Sequence, residues 1–202
     1  MQLFNKAILI NPDYEEAHNN IGNAFKDQNK LEETIQAYKK AILINPNYAE
    51  AYNNLGNVFN ELGRFKEAID SINKSISLKP NYVLAYNNLG IVLAAQGKLD
   101  GAIEAFQKAV LIKPDFADAY NNMANVLKDQ NKFQKAIDAF KKAILFNPNY
   151  AVAYNNLGKL FNDQGKFEYA VDAFKKAILI KFDYAEAYNN KGITLRYQGK
   201  LS

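Results

Sequence analysis

The chain has 202 residues, 49% of them hydrophobic and 23% charged, a balance suited to one or two folded domains. It contains no apolar run of about 18 residues that would span a bilayer, and no cysteine for a disulfide, a thiol nucleophile or a cysteine-held metal. The net charge is +4, so the question is where the surplus lysine lies. In chain order, residues 1–14 read as the end of a helical unit, and then a short block begins to recur. It is AHNNIGNAF at 17–25, AYNNLGNVF at 51–59, AYNNLGIVL at 85–93, AYNNMANVL at 119–127, AYNNLGKLF at 153–161 and AYNNKGITL at 187–195, always at the same interval. Five full repeats follow at 15–48, 49–82, 83–116, 117–150 and 151–184, with a half repeat at 185–202.

Within the repeat at 49–82, Tyr52, Leu55, Gly56 and Phe59 share one helical face at i, i+3, i+4, i+7. Gly63 breaks that helix. Phe65, Ala68, Ile69, Ile72, Ile76 and Leu78 then form the apolar side of a second helix, which Pro80 stops and after which Asn81 can cap the next. Neither short helix can bury its apolar face alone, so the spacing predicts an all-α stack of helix hairpins, with the aromatic and leucine stripes as its core.

This pattern resembles the tetratricopeptide repeat family, whose units share the interval from Ala17 to Ala51. The fifth repeat matches closely, with Tyr154, Leu157, Gly158 and Phe161, then Ala170 and Phe174; Pro46, Pro80, Pro114 and Pro148 take the closing-proline position. Tyrosine or His18 stands where the family has tryptophan, Phe182 replaces the last proline, and Lys191 occupies a core leucine position, which argues against tight packing of the last helix. The resemblance implies a right-handed superhelical solenoid whose first helices line a concave, peptide-binding groove.

At 100° per residue, repeat positions 2, 6, 9 and 13 of the first helix lie opposite its core face, flanked by positions 5 and 12. Position 6 is asparagine in every copy: Asn20, Asn54, Asn88, Asn122, Asn156 and Asn190. Asparagine is a mediocre helix former, so this row is expected to serve something other than helicity. Its amides can both donate and accept, and with Asn53, Asn87, Asn121 and Asn155 beside them they are candidate contacts for the backbone of an extended peptide. A structural bond to the neighbouring repeat, or passive copying by duplication, would explain the same row. The array is similar to the asparagine-lined superhelix of O-linked N-acetylglucosamine transferases, which would imply substrate recruitment for a catalytic domain outside this chain. Position 2 is acidic at Glu16, Glu50, Asp118 and Glu186, three residues after Asp13, Asn47, Asp115 and Asp183, a spacing that reads as capping boxes. In the repeat at 83–116 it is Leu84, on one face with Ile91 and near Ala94 and Ala95, a candidate apolar anchor pocket.

The clamp that other repeats of this family use for the C-terminal carboxylate of heat-shock chaperones needs lysine at position 5 and basic residues at positions 2 and 6, and none is present. Lys40, Lys74, Lys108, Lys142 and Lys176 recur on the second helices, four of them following an acid by four residues, which reads as a solvated face. The single His18 has no metal-binding company, and no phosphate loop occurs, so no catalysis, cofactor or metal is expected in this chain. An RNA-binding helical array is the competing reading; the acids at positions 2 and 13 argue against it. The expected partner is a protein or peptide, with neither membrane nor nucleic acid. Without a secretory signal or cysteine, a cytoplasmic setting is expected. The half repeats at both ends read as a piece of a longer array, with core-type surface open to head-to-tail association.

Overall fold

A computed structural model describes residues 1–199 of the chain, and the described residues form helices and no strand. The helices fall into two compact units, Met1–Lys98 and the chain from Leu99 onward. The first unit holds α1 (Gln2–Ile10), α2 (Glu15–Asp27), α3 (Leu31–Ile44), α4 (Ala49–Glu61), α5 (Phe65–Leu78) and α6 (Val83–Ala95). The second holds α7 (Leu99–Ile112), α8 (Ala117–Asp129), α9 (Phe133–Phe146), α10 (Ala151–Asp163), α11 (Phe167–Ile180) and α12 (Ala185–Tyr197). The even-numbered helices are the first helices of their repeats, and their starts from Glu15 to Ala185 keep the interval of the sequence repeat. The all-α helix-pair fold expected from the periodicity is the one observed.

In the first unit α2 pairs with α3 and α4 with α5, and α6 packs on both α5 and α4. Ile35, Tyr38, Leu55, Val58, Phe59, Ala68, Ile72 and Val92 form one buried cluster through these helices. In the second unit α8 pairs with α9 and α10 with α11, around Leu127, Ile137, Phe140, Leu157 and Leu160. The first helices α4 and α10 are buried on two sides. In α4 and α10 repeat positions 4, 7, 8 and 11 face the second helix, as the sequence spacing predicts. Positions 3 and 10 (Ala51 and Val58, Ala153 and Leu160) are also fully buried, although the hairpin periodicity alone does not assign them to the core.

Two local expectations need correction. The capping boxes do not form: each first helix is preceded by an aromatic cap residue (Tyr14, Tyr48, Tyr82, Phe116, Tyr150 or Tyr184) with no side-chain cap bond. Asn81 therefore lies one residue outside the cap slot, and Glu50, Asp118 and Glu186 bond elsewhere. Nor does helix termination require proline, because α11 ends at Ile180 in the same register although Phe182 stands where the others have Pro. The turn between paired helices uses a left-handed residue, Gly63 at φ +69° and Gly165 at +70°, but Asn29 at +57° and Asn131 at +59° fill the same slot. Asparagine is the other residue that tolerates this region, because its short side chain bonds locally.

Candidate functional site

The asparagine pairs are wired from repeat to repeat. In the first unit Asn54 Nδ2 donates to Asn19 Oδ1 at 3.1 Å, and Asn88 Nδ2 donates to Asn53 Oδ1 at 2.8 Å. In the second unit Asn156 donates to Asn121 and Asn190 to Asn155, both at 3.1 Å. The acceptors Asn19, Asn53, Asn121 and Asn155 are buried, as is Asn87, whereas Asn20, Asn54, Asn88, Asn122, Asn156 and Asn190 are half-buried. Asn53, Asn87, Asn121 and Asn155 therefore lie inside the stack and not on an open face beside the ladder, because helical geometry turns position 5 toward the next first helix. A buried amide needs partners, and the next repeat supplies a donor to the oxygens of Asn19, Asn53, Asn121 and Asn155. Asn189, at the same repeat position on α12, is exposed.

Each of the four position-6 nitrogens donates one hydrogen to the preceding repeat, which holds the planar amide and its carbonyl acceptor in one orientation and leaves a second N–H. On α6 the row acquires apolar neighbours. Leu84, Asn88, Ile91 and Ala95 fall at i, i+4, i+7, i+11, and Leu84 and Ile91 are 47% and 37% exposed. α6 carries no charged residue along its length. In the second unit a hollow of about 160 Å³ between α10 and α12 is lined by Lys159, Asn162, Asn190 and Ile193.

Three of the position-2 acids have partners on neighbouring segments. Glu50 bonds Lys79 at 2.6 Å, and that contact holds its carboxyl below the usual range. For Glu186, burial acts to raise the pKa, but hydrogen bonds from Lys159, Asn155 and Asn190 outweigh it and the net direction is down. Asp118 bonds the Tyr150 hydroxyl, which burial foremost and then this carboxylate push up. Lys26 reaches Glu61 of the next repeat at 2.8 Å. Several of the groove acids counted against a nucleic-acid ligand are thus already neutralised by lysine, which makes the face less repulsive to phosphate than the sequence count implies. His18 Nε2 lies 2.9 Å from the Pro12 carbonyl oxygen, a local contact. Among the described residues no three of His, Cys, Asp or Glu gather to hold a metal ion.

Comparison with known proteins follows the helix pairs. Family profiles described as TPR repeat match residues 22–63, 56–97 and 92–131, and those described as tetratricopeptide repeat match 117–150 and 151–184. The chain belongs to the tetratricopeptide repeat family. Among solved structures it is similar to YrrB, described as a TPR protein with an unusual peptide-binding site, at 26% identity over 94% of this chain and 97% of that one, TM-score 0.64. A crystal structure of MamA is 30% identical, over 82% of this chain and 97% of the other, TM-score 0.69. The Cut9 and Hcn1 complex shares the fold at 21% identity, over 96% of this chain and 39% of that one, with a TM-score of 0.84. No curated protein matches.

Proposed function

We propose that this tetratricopeptide array is a protein-interaction scaffold that binds an extended peptide segment along the open face of its first helices. The observation that carries the reading is the fixed orientation of the position-6 amides. Buried partners in the preceding repeat hold the nitrogens of Asn54, Asn88, Asn156 and Asn190, so their carbonyls are set before a ligand arrives. Acceptors in a row suit the backbone N–H groups of an extended chain, which read shape and not sequence, and preorganisation lowers the ordering cost of binding. Leu84 and Ile91 on either side of Asn88 then supply selectivity, as an anchor for one apolar side chain of the ligand. The likeness to YrrB agrees with a peptide ligand.

The test is selection from a displayed random-peptide library, followed by calorimetry of the best binder. Leu84→Glu, an exposed change that leaves the core alone, is expected to weaken binding at least tenfold, about the cost of placing a charge against an apolar anchor. Asn88→Ala should weaken it severalfold, alongside a stability loss of about 1 kcal/mol because the buried Asn53 oxygen loses its donor. Retention of full affinity by both variants would sink the reading.

A further inference from the structure

The second helices of the second unit carry a feature that peptide binding on the first helices does not use. Leu111, Leu145 and Leu179 occupy the same repeat position on α7, α9 and α11, and are 74%, 71% and 85% exposed. Single exposed leucines are ordinary. Three in register, joined by the exposed Phe182 one turn beyond Leu179, form a recurring apolar row.

Each leucine follows lysine on its own helix face. Lys108, Lys142 and Lys176 lie three residues before it and Lys141 and Lys175 four before, so lysine and leucine are neighbours along the helix. Lys113 and Lys181 follow closely after α7 and α11. The acids Glu104, Asp138 and Asp172 sit seven residues before the leucines. At 1.5 Å per residue the lysines are about 5 Å and the acids about 10 Å back along the axis from the leucines. Lys142 and Lys176 lie over the Tyr120 and Tyr154 rings, and Lys175 pairs with Asp172 at 3.6 Å. Every helix of the row therefore carries lysine one turn behind its leucine and an acid about a turn further back, while Lys113 and Lys181, then Asp115 and Asp183, follow in the turns after α7 and α11.

We infer that this leucine and lysine row of the second unit docks the protein peripherally on an anionic lipid surface. Exposed leucine with lysine one turn behind it matches an interface in which apolar side chains enter the headgroup boundary and lysines meet anionic headgroups. The leucines protrude and line neither the 650 Å³ cleft over Tyr120 and Met123 nor the 510 Å³ cleft over Leu157 and Phe161. A deformable lipid surface receives such knobs without a matching pocket. Among the described residues no helix is long and apolar enough to cross a membrane, so the contact is with the surface. It departs from the sequence expectation of no membrane partner, which weighed spanning segments alone. In the first unit the row is broken, since α5 has Ser77 at the leucine position, its hydroxyl bonded to the Lys74 carbonyl at 2.8 Å.

Vesicle flotation of the whole chain tests the inference, with phosphatidylcholine alone and with three parts phosphatidylcholine to one of phosphatidylglycerol. Binding to the anionic vesicles only, weakened at least tenfold in Leu111→Ser/Leu145→Ser/Leu179→Ser, is expected. A second variant, Lys108→Gln/Lys141→Gln/Lys175→Gln, keeps the leucines and should lose about fivefold per lysine at low salt. Absence of flotation, or equal flotation of either variant, overturns the inference. So does a lipid-free dimer that the leucine variant dissociates, which would assign the row to a second copy of the chain.

Discussion

Helices α4 and α12 have nearly the same amino-acid pattern and different surroundings. In α4, Leu55 and Asn53 are buried, Tyr52 is half-buried, and a Cβ placed on Gly56 would come within 2.5 Å of Ile72 Cγ1 and 3.1 Å of the Ala68 carbonyl oxygen. In α12, Lys191 is half-buried, Asn189 and Tyr188 are exposed, and a Cβ on Gly192 would meet nothing within 4 Å. The pattern AYNN followed by glycine is thus a set of instructions whose meaning depends on neighbours. Glycine matters only where a second helix presses on it, and the first asparagine of the pair matters only where another first helix covers it.

The largest break in this comparison should come from glycine. Gly56→Val forces a branched side chain against Ile72 and a backbone oxygen, and is expected to cost about 2–3 kcal/mol by denaturant unfolding. Gly192→Ala should be neutral or stabilising by up to about 1 kcal/mol, because it gains helix propensity in open space. Equal effects at the two positions would mean that close packing is not the reason for the glycine.

Next comes asparagine. Asn53→Ala removes the acceptor of Asn88 from a buried site and should cost about 1–2 kcal/mol, whereas Asn189→Ala should change little. A double-mutant cycle with Asn88→Ala would show the coupling directly, and additive losses would refute it.

A smaller effect is expected at Tyr38, whose hydroxyl donates to Asn23 Oδ1 at 2.7 Å. Burial foremost, with Asp27 and Glu61 nearby, pushes its pKa from 10.0 up to about 12. The raised value means the folded state holds its proton while the unfolded chain releases it. The Tyr38 contribution to stability is constant below about pH 10 and declines from there toward pH 12. Tyr38→Phe should flatten this decline while costing about 1 kcal/mol at neutral pH.

The smallest effect belongs to Glu50. Its lowered pKa gives a contribution present above the ordinary 4.5 and lost as pH falls through the folded value. Because both partners are exposed by a third or more, Glu50→Gln should cost only a few tenths of a kcal/mol at neutral pH, and less in acid.

The repeat was plain in the sequence because every copy of Tyr or His, Asn-Asn and the following apolar residues recurs at one interval. The intra-repeat core and the glycine turns could be read from spacing. The capping boxes could not: Asp13 and Glu16 have the right separation, but the aromatic residue between them takes the cap slot. The two asparagines of each pair looked alike in sequence, and only packing divided them into a buried acceptor and a half-exposed donor. The exposed leucines could not be told from core because Leu43, Leu111, Leu145 and Leu179 sit among buried alanines and half-buried isoleucines near the ends of their helices, where composition alone reads as core.

What the sequence determined by itself is the repeat length, the helix pairs and the family, since these follow from local periodicity and turn residues that act within one unit. What the tertiary structure decided is which polar groups are structural and which face outward. That depends on the angle at which one repeat meets the next, a relation between residues 35 apart in Asn19 and Asn54 that no local propensity encodes.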